Sequence, residues 1–121
     1  MSKRFTFALQ PVPASLKAGL AALRADYVER FKAGKGALAL SFVEDASLGT
    51  HGLAAAPAQG GVTVRYGSRS AAFRALGKLL AAATRSDLAF AETSEFTMRG
   101  LMADCSRNGV LRKDAAEEFM R

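Results

Sequence analysis

Two apolar stripes at helical spacing bracket a stretch that reads only as strand and turn, and this order limits the fold more than any other feature. Leu16, Leu20, Leu23, Tyr27 and Phe31 follow one another at steps of three and four, which predicts one helix of about five turns. Phe73, Leu76, Leu79, Leu80 and Ala83 form a second stripe, with Arg69, Arg74, Lys78 and Arg85 largely off it. Between the stripes, Ala37 to Val43 is a short apolar run with Leu38, Leu40 and Phe42 on one face. Leu53 to Ala58 is weakly strand-like, Gly60-Gly61 marks a hairpin turn, and Val62, Val64 and Tyr66 alternate with Thr63 and Arg65. Ahead of the first stripe, Phe5, Phe7 and Leu9 alternate with Arg4, Thr6 and Ala8 until Pro11 and Pro13 end the pattern.

Local signals sharpen the boundaries. Ser15 has the right chemistry to cap the first helix, and Gly34 and Gly36 to end it. Gly67-Ser68 breaks the last central strand and caps the second helix. Gly77 inside that helix costs up to ~1 kcal/mol relative to alanine, which a close helix–sheet contact would explain. Asp87 to Glu95 reads as a connecting stretch and a domain boundary. The expected fold is therefore α+β: an antiparallel or mixed sheet of about four strands with both long helices packed on one face. The stripe residues from Leu16 to Phe31, with Phe73, Leu76 and Leu80, are its expected core. Residues 1–94 would form this domain, and 95–121 a further strand, Phe96 to Ala103, with a helix from about Lys113.

A chain of 121 residues has room for one such domain and little more. Its formal charge of +6 permits an acidic partner, but no run of five or six like charges appears, which argues against nucleic acid. The single cysteine, Cys105, cannot form an intrachain disulfide, and a small buried thiol is its ordinary reading. His51, the only histidine, has no Ser, Cys or Asp partner at recognisable spacing. No run approaches the ~20 apolar residues of a membrane span. The start, Met1-Ser2-Lys3-Arg4-Phe5, has no leader pattern, so the chain as written reads as cytoplasmic, although a longer parent could have lost a signal peptide.

The most specific wording lies near the C-terminus, in Phe96-Thr97-Met98-Arg99-Gly100-Leu101-Met102-Ala103-Asp104-Cys105-Ser106-Arg107-Asn108. An apolar strand-like run begins with an arginine and ends in a polar turn. It resembles the first barrel strand of family-20 glycoside hydrolases, the exo-β-N-acetylhexosaminidases, whose pattern Arg-Gly-x-x-x-Asp-x-Ser-Arg is filled by Arg99, Gly100, Asp104, Ser106 and Arg107. The segment from Gly61 through Leu80 looks like the last strand and helix of the non-catalytic domain that precedes the barrel in that family. The likeness thus spans roughly Gly61 to Arg121, and before that rests on element order alone.

The resemblance implies a non-catalytic domain followed by the first βα unit of a truncated (β/α)₈ barrel, which needs about 250 residues when whole. It implies that a full-length parent removes terminal β-linked N-acetylhexosamine by a substrate-assisted route, without metal or organic cofactor. Arg99 would bind hydroxyls of the terminal sugar, for which a guanidinium offers several fixed donors. Asp104 would lie near the active face, where it could touch sugar or pair with Arg107, and Ser106 and Asn108 suit a turn. The family's adjacent Asp-Glu catalytic pair is missing. Glu117-Glu118 falls on an expected solvated helix, and Glu44-Asp45 sits at a strand end. The chain by itself is therefore expected to carry no catalytic residue. Its implied partners are the rest of the barrel and a glycan ending in N-acetylhexosamine, and its C-terminal strand could self-associate. A second reading, from charge alone, is a small basic α+β module that binds an acidic partner or nucleic acid.

Overall fold

The computed structural model describes residues 4–93 and 112–119. Its strands are β1 (Phe7–Leu9), β2 (Leu38–Glu44), β3 (Gly52–Ala58), β4 (Gly61–Tyr66) and β5 (Phe90–Thr93). Its helices are α1 (Lys17–Asp26), α2 (Arg69–Ala81) and α3 (Lys113–Phe119). The fold is α+β with one mixed sheet in the order β1-β2-β4-β3-β5. β1 and β4 run parallel to β2, while β3 runs antiparallel to β4 and β5.

The expectation of about four strands is corrected to five among the described residues. The extra strand, β5, lies inside the stretch read as a connection, where Phe90 pairs with Ala55 and Thr93 with Gly52. Its sequence, Phe-Ala-Glu-Thr, is too short and mixed to show a period of two. It forms because β3 presents an edge, and because Leu88, 0% exposed, anchors the preceding turn Arg85–Leu88 in the core. Asp87 closes that turn by accepting from the N–H groups of Ala83 and Thr84.

Alternation decides which sheet face is covered. Leu38, Leu40 and Phe42 of β2, Val62, Val64 and Tyr66 of β4, and Leu53 and Ala55 of β3 all point to one side and are buried. Leu16 and Leu20 meet them from the first helical segment, and Ala72, Ala75, Leu76 and Leu79 from α2, in one core cluster. Both helices lie on that face and touch each other where the Phe73 ring covers Gly19. The opposite face carries small side chains, among them Ala39, Ser41, Ala54 and Thr63. Fully burying a large aliphatic or aromatic side chain contributes about 1.5–3 kcal/mol, so this single shared core dominates stability.

The first helix is shorter than its stripe. It ends at Asp26, the Tyr27 N–H bonds to the Leu23 carbonyl, and a separate turn, Val28–Arg30, carries the chain to Phe31. Tyr27 consequently leaves the buried side and is 48% exposed, against expectation, whereas Phe31 returns to the core against Phe7. Leu23, Phe73 and Leu80 are only partly buried, at the rim of the core. Ser15 does not cap. It lies inside a one-turn 3₁₀ segment, Ala14–Leu16, and no side chain caps either that turn or α1. Ser68 does cap α2, accepting from the Ala71 N–H at 3.4 Å. A Cβ at Gly77 would meet nothing within 4 Å, so no helix–sheet contact demands that glycine.

Candidate functional site

Arg99 and Asp104, with Cys105, Ser106, Arg107 and the expected strand Phe96 to Ala103, lie outside the described residues. Of the acidic candidates inside them, Asp45 serves the fold and the glutamates are exposed. Asp45 follows β2, accepts from the Ser47 N–H at 3.0 Å, and binds the Arg65 guanidinium with Nε 2.9 Å away. The Ser47 hydroxyl and the Arg65 guanidinium hold its carboxyl down at about 2. Glu44 ends β2 and is exposed. Glu117 and Glu118 sit on exposed positions of α3, as a solvated helix face requires.

Glu92 of β5 is a second carboxylate that ties two elements together. It bonds Lys78 at 2.9 Å and also Arg74, both from α2, and these bonds lower its pKa. Lys78 Nζ also stands 5.0 Å above the Phe90 ring. This cluster fastens β5 to the helix layer. It leaves Lys78 and Arg74 committed to a protein carboxylate rather than to a ligand. Among the described residues there is no group of three or more side chains fit to hold a metal. His51 lies at a turn before β3, half-buried.

Among the described residues, two surfaces stand out as able to receive something. The first is a groove between α1 and α2, lined by Gly19, Leu23, Tyr27, Phe73, Gly77 and Leu80. Glycines on both helices keep it open, and its exposed apolar rim comes from Tyr27, the residue displaced from the core. Asp26 and Tyr27 also line a neighbouring hollow with Asp114, Glu117 and Glu118 of α3. The second surface flanks α1 on the side of β1, with Lys17 and Arg24 standing over an apolar floor. Stripe periodicity missed both, because each depends on where α1 stops and on which strand is at the sheet edge. The glycine at 77, unexplained by the core, was the available signal for the first.

No described helix is long and apolar enough to cross a membrane. No protein-family model, curated protein or solved structure matches this chain.

Proposed function

We propose that residues 1–94 are the non-catalytic amino-terminal domain of a glycosidase resembling the exo-β-N-acetylhexosaminidases, and that residues 95–121 open its catalytic barrel. The observation that carries this reading is the pattern Arg99-Gly100, Asp104 and Ser106-Arg107, placed after an α+β domain. The α1–α2 groove supports it by offering an apolar surface on which a following domain can pack. On this reading Arg99 binds hydroxyls of the terminal sugar through its fixed donors, and Asp104 shapes the loop beside it. The catalytic acid would come from sequence beyond Arg121, so the chain alone is inert.

The test is to read the coding sequence past Arg121 and assay the polypeptide it encodes on a chromogenic N-acetyl-β-glucosaminide. An Asp-Glu pair in a later barrel strand, and turnover, are expected. Losing a charge-assisted contact of about 2–3 kcal/mol in Arg99→Ala would lower kcat/KM roughly 30- to 150-fold. A continuation without such a pair, or an active protein indifferent to Arg99→Ala, overturns the reading.

A second reading, a basic module for an acidic partner, is favoured by Lys17 and Arg24, neither of which has a carboxylate partner among the described residues.

A further inference from the structure

We infer that the outer edge of β1, together with the flank of α1 above it, is a site where an acidic, extended peptide of another protein adds a strand to the sheet. This inference does not rest on the glycosidase reading.

The first observation is an edge whose backbone is available. Leu38 N–H donates to the Thr6 carbonyl, and Gln10 N–H to that of Leu40. Alternate residues of a strand point their peptide groups to opposite sides, so those of Phe7 and Leu9 face away from β2. No described strand pairs on that side. The next outward carbonyl back along the chain, that of Phe5, accepts from Arg30 Nε at 2.8 Å, so the neighbouring donor marks where the free edge begins. Pro11 ends it at the other side. The free edge is too short to nucleate open-ended sheet growth, yet long enough to pair with a few residues of a partner.

The second observation is a groove beside that edge. Leu9, Val12, Leu20 and Ala21 line a hollow between α1 and the chain leaving β1. Ala21 and Arg24 continue into a second hollow with Ala25, Val28 and Phe31. A strand added to β1 would turn every second side chain toward these hollows, ~6.7 Å apart. Main-chain bonds along the edge with pockets for alternate side chains are the two requirements of strand addition.

The third observation selects the chemistry. Lys17 and Arg24 both line the groove beside β1 and stand ~10 Å apart along α1. Both are exposed, and neither makes an ion pair or side-chain hydrogen bond among the described residues. Arg4 adds charge near the start of the edge, close enough to lower the pKa of Arg30, for which burial is the larger cause. The opposite edge differs. There Lys78 and Arg74 are satisfied by Glu92. Among the described residues the β1 flank therefore has uncompensated positive charge over an apolar floor, and its complement is a segment of alternating apolar and acidic residues.

The probe is a fluorescein-labelled peptide alternating valine with glutamate, read by anisotropy in low salt, against the same peptide with lysine in place of glutamate. Saturable binding of the glutamate peptide alone is expected, with amide shifts at Phe7 and Leu9. The double variant Lys17→Glu with Arg24→Glu should weaken it by at least about tenfold while the circular dichroism spectrum is kept. Ala21→Arg, which fills the groove without removing positive charge, should also weaken it. If neither peptide binds, or both bind equally, the site does not exist. Shifts confined to β5 or to the α1–α2 groove, or dimerisation through β1 that peptide does not compete, would equally overturn the proposal.

Discussion

The ring of Phe73 lies over the α-carbon of Gly19, so that a Cβ at position 19 would stand 2.9 Å from its Cε2. This contact sets how closely α1 and α2 approach, and it makes the two helical glycines opposite in kind. Gly19 is demanded by a neighbour, while Gly77 faces open space in the same groove. Gly77→Ala should stabilise the domain by about 0.5–1 kcal/mol, the usual helix-interior difference. Gly19→Ala gains the same propensity but forces a half-buried ring aside, at about 1–3 kcal/mol, and should be neutral or destabilising. In a Phe73→Ala background the Gly19→Ala change should become stabilising. Urea unfolding of the four proteins checks this, and additivity of the two substitutions would refute the contact.

Leu88 tests whether the turn before β5 belongs to the domain. It is 0% exposed and the only buried residue between Ala82 and Thr93. Leu88→Ala should cost about 2–5 kcal/mol, as for other fully buried leucines. Glu92→Gln, which weakens the partly exposed bonds to Lys78 and Arg74, should cost under about 1 kcal/mol. Denaturant midpoints distinguish them. Equal small effects would mean that the turn and β5 are appended rather than built in.

The fold was legible where hydrophobic period and local chemistry agreed. Val62, Val64 and Tyr66 alternate, Ser68 caps, and β4 and α2 follow with little shift. β2 and its buried triplet Leu38, Leu40 and Phe42 were equally plain. The failures came where tertiary context overrode pattern. The stripe through Tyr27 continues in sequence, but the backbone leaves the helix there with φ −123° and ψ 48°. β5 has no periodicity and is recruited by the edge of β3. The β1–α1 groove was invisible because periodicity says nothing of strand order, and that order alone puts β1 at the edge.

Asp45 makes acid stability predictable. Its folded carboxyl titrates at about 2, below the ordinary 3.8, first because the Ser47 hydroxyl bonds it and next because Arg65 does. A depressed carboxyl contributes stability that is complete above the unfolded value and disappears as pH falls through the folded one. The change therefore belongs between about 3.8 and 2. Carbon-detected NMR titration should give a low midpoint for Asp45, moved upward in Arg65→Gln and further in Ser47→Ala. Asp45→Asn should flatten the acid limb of the stability curve over that interval.

Tyr66 gives the opposite pH limb. Its side chain is 1% exposed, packed edge-on against Phe42, and its hydroxyl has no hydrogen bond of acceptable geometry among the described residues. Ser15 lies close enough to ease its ionisation, but burial and the nearby Glu44 carboxylate outweigh that and raise the phenol above its ordinary 10.0. A raised acid leaves stability untouched below the unfolded value. Above it the unfolded chain releases the proton and the native one does not, so stability falls as pH climbs past 10.0. Removing a buried hydroxyl that lacks a partner relieves a desolvation cost of about 1–3 kcal/mol, partly offset by lost packing. Tyr66→Phe should thus match or exceed the parent in stability at neutral pH. Its advantage should widen between neutral and strongly alkaline pH in thermal melts. A clear loss at neutral pH would mean that the hydroxyl bonds Ser15 in solution, and Ser15→Ala would then show the same loss.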